Sequence, residues 1–362
     1  MAKKSIVLLK NEKALLPLNK AQKKIAVIGA LAEEKTSPLG SWRIGSDDGT
    51  AISVLEGLKA YNADFTYAKG ADLITEPANF VFEVKINETD KSGFEEAIAL
   101  AKSSEVVLLV LGEHGFQSGE GRSRTVLGLP GVQQELLEAV YAVNQNVVLV
   151  LMNGRPLTIP WAAENVPAIL ETWQLGSQSG HAIAQVLFGD YNPAGKLPMT
   201  FPRSLGQIPI YYNHFSTGRP YNTGNVFWSH YSDESNDPLY PFGHGLSYTK
   251  FEYSDLKIDA ADPHHVKVSV TVKNTGKVKG EEVTQLYIHD KAASVTRPVK
   301  ELKGFNKFEL AAGAIKTIEF TLTDKELGFF DNQGNFIVEP GDFDIMVGTS
   351  SKEGLSGEFT IK

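Results

Sequence analysis

The chain has 362 residues, 42% of them hydrophobic, enough to bury a sizeable core and too many for one ordinary domain, so two are expected. A net charge of −8 without any basic block argues against nucleic acid as a partner. The absence of cysteine excludes disulfides, thiolate catalysis and zinc–thiolate sites, and it leaves the compartment open.

Within residues 1–12 the apolar stretch is too short for a signal peptide and no cleavage pattern follows it. No run approaches transmembrane length, so no membrane partner is expected. From Ile25 to about Phe201, short aliphatic runs alternate with helical patterns. The strand-like runs are Ile25 to Gly29, Phe65 to Ala68, Val106 to Leu111, Val147 to Met152 and Ala168 to Trp173. The helix-like stretches lie around Ile52 to Tyr61, Ser92 to Lys102, Gly131 to Asn144 and Gly180 to Phe188. Unbroken apolar strands alternating with amphipathic helices predict a mainly parallel sheet covered on both faces, a doubly wound, flavodoxin-like α/β/α sandwich over residues 1–201.

Residues 202–260 are rich in Pro, Gly and aromatics, including Tyr211, Tyr212, Phe215, Phe227 and Trp228. Flexible linkers are poor in aromatics, which predicts an ordered connector packed against its neighbours. From about Pro263 strict alternation begins, as in His265 to Val272, followed by the turn Asn274-Thr275-Gly276 and by strands near Glu282 to His289, Ile315 to Leu322 and Phe343 to Gly348. Half-buried strands punctuated in this way predict an immunoglobulin-like, fibronectin type III-like β-sandwich over 261–362, so the chain reads as α/β then all-β.

One loop stands out for chemistry. It runs Glu113-His114-Gly115-Phe116-Gln117-Ser118-Gly119-Glu120-Gly121-Arg122-Ser123-Arg124 after the apolar run that ends at Gly112. A carboxylate between two glycines, on a loop leaving the end of a buried strand, stands where an open α/β sheet presents a group to a ligand. Glu120 is therefore the first catalytic candidate. Glu113 is a second, with a hydrogen bond that fixes the loop as its competing role. Arg122 and Arg124 can orient a carboxylate or the hydroxyls of a ligand, or make structural ion pairs. His114 reads as a loop hydrogen-bonder.

Standard motifs mostly fail. Val27-Ile28-Gly29-Ala30-Leu31-Ala32 lacks the later glycines of a dinucleotide fingerprint, and Gly40 to Gly45 is followed by Ser46-Asp47 instead of Lys-Ser/Thr, which disfavours ATP. Gln178 occupies the centre of Gly176-Ser177-Gln178-Ser179-Gly180, so there is no nucleophile elbow. No His-Glu-x-x-His metal site occurs.

Longer strings carry a resemblance. Ser5 to Glu12 followed by Leu16-Pro17-Leu18, Ser118-Gly119-Glu120-Gly121 with Arg124, Asn153-Gly154-Arg155-Pro156-Leu157, Gly189 to Pro198, Thr217 to Tyr221 and Pro238 to Tyr248 resemble the second domain of family 3 glycoside hydrolases, the bacterial β-glucosidases. Arg297 to Phe305 resembles their C-terminal fibronectin-like domain. In that family a (β/α)8 barrel carries the nucleophilic Asp and most sugar-binding residues, while the second domain contributes the general acid/base Glu. The resemblance thus implies Glu120 as the acid/base of a retaining hydrolase. Its substrate would be a β-linked oligosaccharide or aryl glycoside, with a barrel supplied in cis or in trans and no cofactor. No Asp here is assigned as the nucleophile.

Trp42, in Gly40-Ser41-Trp42-Arg43, falls where the family brings a second-domain loop towards the leaving group; stacking on a sugar and packing at the barrel both remain open for it. The resemblance also points to a periplasmic or extracellular setting and leaves a homo-oligomer open. Two other readings compete: a non-catalytic carbohydrate-associated or interaction module that kept the fold, and a nucleotide-binding flavodoxin-like protein. Glu120 between its glycines favours the hydrolase reading over the first, and the missing phosphate motifs disfavour the second.

Overall fold

The computed structural model describes every residue except Ile44 and Ser46, so the segment from Gly40 to Asp47 is described only in part. Packing divides the chain into two units. The first holds Met1–Gly195, Pro202–Gly206 and Leu246–Tyr248; the second holds Lys196–Phe201, Gln207–Gly245 and Thr249–Lys362.

The first unit is built on a sheet of β1 (Val7–Asn11), β2 (Ile25–Ile28), β3 (Phe65–Ala68), β4 (Val106–Gly112), β5 (Val147–Met152) and β6 (Ala168–Glu171). Every residue of β2, β4, β5 and β6 is buried, which is why those strands read as continuous aliphatic runs without alternation. The strand order is β1-β6-β5-β4-β2-β3, with β2 to β6 parallel and β1 antiparallel on the edge beside β6. Counted from β2, the parallel strands run 2-1-3-4-5, the flavodoxin-like order. β1 falls in the Ser5 to Glu12 string, where five strand residues that end in Lys10 and Asn11 give no period to recognise.

Among the described residues this unit has the α-helices α1 (Ala2–Ser5), α2 (Val54–Ala60), α3 (Phe94–Ser103), α4 (Gln133–Val143), α5 (Pro160–Asn165) and α6 (Ser179–Leu187). α2 and α6 pack together, and Val54, Leu58, Ile183 and Val186 share one core with Val27, Leu108, Val150 and Leu170 of the sheet. α3 and α4 pack against each other, α3 also on β2 and β3 and α4 on β4. The start of α2 is written locally: the Ser53 side chain accepts from the Glu56 N–H while Glu56 reaches back to the Ser53 N–H. Among the described residues no helix is long and apolar enough to cross a membrane.

This topology positions the loops. The chain leaves β2 towards β3 on one side and β4 lies on the other, so the crevice at the carboxyl ends of β2 and β4 is the switch point where such sheets bind ligands. The loops carrying Trp42 and Glu120 follow these two strands.

The second unit is a β-sandwich. One sheet has the order β10-β9-β14-β15 and the other β11-β8-β7. The strands are β7 (Phe251–Asp259), β8 (His265–Asn274), β9 (Gly280–Asp290), β10 (Glu301–Leu310), β11 (Ile315–Thr323), β14 (Gly341–Gly348) and β15 (Gly354–Ile361). A short hairpin of β12 (Phe329–Phe330) and β13 (Phe336–Ile337) follows the one-turn helix α7 (Asp324–Leu327). Val266, Val268, Val270 and Val272 alternate inward from β8 to meet Leu286, Ile288, Phe343, Ile345 and Phe359.

Three of these strands carry weak sequence signals. β7 lies inside the stretch read as connector, because its alternation breaks at Asp255, which has φ 53° at a register shift between Ser254 and Lys257. β10 is interrupted by a bulge between Leu302 and Gly304, and β15 contains two glycines. The connector residues 207–245 are ordered against the sandwich: Tyr212 stacks on Phe242 at 4.6 Å and meets Tyr287 edge-on at 5.6 Å, and the Val299 N–H donates to the His214 carbonyl at 2.9 Å.

Candidate active site

The loop after β4 makes one 3-10 turn over Gly115–Gln117 and then projects Ser118 to Arg122. His114 caps that turn, its Nδ1 accepting from the Phe116 N–H at 3.1 Å, while the Gln117 side chain accepts from the His114 N–H at 2.8 Å. Burial holds the His114 ring below the usual histidine range, which keeps Nδ1 free to accept. Gly119 has φ +114° and lies so close to the β2 loop that a Cβ there would sit 2.4 Å from Ser41 Oγ and 3.7 Å from Trp42 Nε1. That approach brings Glu120 and Trp42 together.

Glu120 opens into a pocket of about 360 Å³ lined by Ser41, Trp42, Phe80, Val81, Phe82, Glu83, Gly121 and Arg122. Its side chain is exposed, and no hydrogen bond or ion pair among the described residues engages it. Trp42 and Phe82 are 66% and 70% exposed, an apolar wall facing water beside a carboxylate. Arg122 is committed elsewhere: it lies over the rings of Phe80 at 5.3 Å and Phe116 at 5.7 Å and donates to the Phe80 carbonyl. It shapes the pocket wall and lines it.

Beneath the loop lies a charged cluster. The Glu113 side chain is fully buried, with Arg124 Nη1 at 2.7 Å and Arg155 Nε at 3.1 Å from Oε1, and the Gly154 N–H at 3.4 Å from Oε2. Arg124 also donates to the Gly128 carbonyl at 3.2 Å. Arg155 Nη2 donates to the Arg122 carbonyl at 2.9 Å and to the Gln117 carbonyl. Glu113 and Arg124 are thus brought together away from the open pocket, as an ion pair whose carboxylate is buried beneath the loop.

A second carboxylate closes the cluster. Glu171, with no exposed surface at the end of β6, accepts from the Trp173 N–H at 2.9 Å and from Asn153 Nδ2 at 3.0 Å. Withdrawal from water pushes its carboxyl up to about 8; the two hydrogen bonds oppose this and the charge of Glu113 adds to it. Asn153 also donates to the Arg155 carbonyl at 2.7 Å, and its Oδ1 is buried without a partner among the described residues. Among the described residues no group of three or more His, Cys, Asp or Glu side chains could hold a metal.

A model of the glycosyl hydrolase family 3 C-terminal domain matches residues 6–248, and one of a fibronectin type III-like domain matches residues 282–351. The chain belongs to glycosyl hydrolase family 3. It is similar to a periplasmic beta-glucosidase of Salmonella typhimurium, 43% identical across 100% of this chain and 49% of that protein. A beta-xylosidase of Formosa agariphila is 44% identical over 97% of this chain and 48% of its own length. Among solved structures, beta-glucosidase from Listeria innocua in complex with isofagomine superposes with a TM-score of 0.90 at 38% identity, covering 99% of this chain and 49% of that one. The chain therefore spans about half the length of the curated relatives it matches.

Within this family 3 chain, Glu120, Trp42 and Arg122 line one pocket, and Glu113 and Arg124 lie under it. Four participants escaped the reading of individual residues: Arg155, Asn153, Glu171 and the Phe80-Val81-Phe82 segment. Arg155 and Asn153 lie in the string Asn153 to Leu157, which carries the family resemblance but implies no task for either residue. Glu171 has a visible signal, an acid directly after the apolar run Ala168 to Leu170.

Proposed function

We propose that this chain supplies Glu120 as general acid/base to a retaining β-glycosidase acting on terminal β-linked glucosyl residues. The nucleophilic Asp would come from a (β/α)8 barrel outside these 362 residues. One observation carries the reading: at the switch point Glu120 alone of the two loop carboxylates faces an open pocket, while Glu113 is consumed by two arginines. In the first half-reaction Glu120 gives its proton to the leaving oxygen as the nucleophile attacks the anomeric carbon. In the second it takes a proton from water, which cleaves the glycosyl–enzyme bond; the two carboxylates need a separation of about 5–5.5 Å.

Trp42 stands beside Glu120, where its indole face suits the apolar side of a sugar ring in the leaving group. The substrate class, a β-linked oligosaccharide or aryl glycoside, and a periplasmic or extracellular setting rest on the family and on the name of the Salmonella relative, a periplasmic beta-glucosidase.

The test is complementation. The chain alone should leave an aryl β-glucoside intact, and adding a separately produced family barrel with its Asp should restore hydrolysis. In that complex Glu120→Ala should slow a disaccharide by about 10²- to 10⁴-fold and an activated aryl glucoside far less, since a good leaving group needs little protonation. An unchanged disaccharide rate in the Glu120→Ala complex overturns the assignment.

A further inference from the structure

We infer that Arg155 is the positioning residue of the acid/base loop, clamping the main chain on both sides of Glu120 and being aimed in turn by Glu113; this rests on the reading of Glu120 as acid/base. The segment needs such a clamp. Gly119 and Gly121 flank Glu120 with φ of +114° and +72°, and glycines on both sides leave its backbone the widest freedom a chain can have. Within the segment the only backbone hydrogen bond among the described residues is a long one, from the Arg122 N–H to the Gly119 carbonyl at 3.3 Å.

Arg155 supplies what the segment lacks. Its Nη2 donates to the Gln117 carbonyl before the segment and to the Arg122 carbonyl after it, at 2.9 Å, so one nitrogen ties the two ends together. A planar guanidinium does this only if its plane is fixed. Glu113 fixes it, lying 3.1 Å from Nε through Oε1 and 3.3 Å through Oε2, while Asn153 Nδ2 holds the Arg155 carbonyl at 2.7 Å. Ser118 receives a lesser tie, from Gln174 Nε2 to its hydroxyl at 3.1 Å. Close fit completes the arrangement: a Cβ on Gly154, next to Arg155, would sit 1.9 Å from Ser118 Oγ. Arg124 shares Glu113 but donates onward only to Gly128, beyond the segment, so it steadies the carboxylate and leaves the loop to Arg155.

The consequence for chemistry is geometric. Proton transfer needs the carboxyl within hydrogen-bond reach of the leaving oxygen, and a displacement of about 1 Å from a change away from the reacting atoms can cost about 10²-fold. Arg155 therefore acts on the acid step through the loop, without touching substrate.

Arg155→Lys separates the two functions of the side chain, because a lysine keeps the positive charge but its single ammonium cannot hold Glu113 and both carbonyls from two nitrogens fixed in one plane, as Nε and Nη2 do. Hydrogen exchange of the whole 362-residue chain provides the first readout. Amides of residues 117–122 should exchange about tenfold faster or more in Arg155→Lys and Arg155→Gln, with β4 and β5 amides unchanged as evidence of an intact fold. In the complex with the barrel, both variants should lose about 10²-fold in kcat on a disaccharide, less than about threefold on an activated aryl glucoside, and keep KM within about twofold.

Unchanged exchange over 117–122 overturns the clamp. Equal losses on both substrates, or a loss confined to KM, overturn the link to proton transfer. If Glu120→Ala itself shows no dependence on the leaving group, the acid/base reading has failed and the catalytic half of this inference falls with it, while the exchange result still decides whether Arg155 holds the loop.

Discussion

The two units spend their charged residues differently. In the α/β unit, parallel strands send all their carboxyl ends to one edge, and the loops there gather Glu113, Glu171, Arg124 and Arg155 into one network in which both carboxylates are buried. In the sandwich unit antiparallel strands alternate in and out; Lys196 and Glu282 form a largely buried pair at 3.0 Å, while charges such as Lys279 and Glu309 or Lys291 and Glu358 pair along outer faces with half or more of at least one partner exposed. A parallel sheet concentrates polar backbone ends and side chains where they can act on a ligand; an antiparallel one disperses them. That difference puts the candidate chemistry in the first unit and leaves the second with an apolar core between two sheets.

The sharpest way to break this comparison is to remove one group from each unit. Glu113→Ala strands two arginines, whose side chains are only 18% and 19% exposed, and should cost about 3–5 kcal/mol. In the sandwich an apolar change should reach a similar size: Phe343→Ala, which removes a ring stacked on Phe359 at 5.0 Å, should also cost about 3–5 kcal/mol. Urea unfolding followed by tryptophan fluorescence reads the first change well, since Trp42, Trp161 and Trp173 belong to the α/β unit. A Glu113→Ala chain as stable as the parent would show that the cluster contributes no net stability.

The next effect depends on pH. Folded, Glu171 keeps its proton up to about 8, whereas the unfolded chain releases it near 4.5. The folded state therefore binds more protons between those values. Its contribution is complete below pH 4.5 and is lost progressively as pH rises to about 8. Glu171→Gln has no proton to lose, so the stability of the parent relative to this variant should fall by several kcal/mol between pH 5 and 8, at about 1.4 kcal/mol for each tenfold drop in proton concentration. Urea midpoints of both chains at the two pH values decide it, and a constant difference would mean that Glu171 is ionised throughout.

The smallest effect belongs to the sandwich surface. Lys279 and Glu309 pair at 3.1 Å with side chains 64% and 53% exposed, so Lys279→Ala should change stability by less than about 1 kcal/mol, and by less still in high salt. A loss comparable to that of Glu113→Ala would erase the contrast between the units.

Local physics made much of the fold legible. The unbroken runs Val106 to Leu111 and Val147 to Met152 are fully buried parallel strands, and the alternation from His265 to Val272 places every second side chain in the sandwich core. The edge strand β1, and β7 with its break at Asp255, were hidden because short or bulged strands lose the period that identifies them. At the site, Glu120 was legible through its glycines and its place after a buried strand. Arg155 was not, since its partners Glu113, Gln117 and Arg122 lie 33 to 42 residues away in the chain.

By itself, then, the sequence determined the alternation of α/β and all-β regions, the loop that carries Glu120 and the kinship to family 3 hydrolases, because periodicity, glycines and long motifs are properties of neighbouring residues. Only the tertiary structure decided which carboxylate faces a pocket and which is locked beneath it. Five parallel strands end at one edge of the sheet, and their order sets which loops meet there: Trp42 beside Glu120 above, and Arg155 between Glu113 and the loop below.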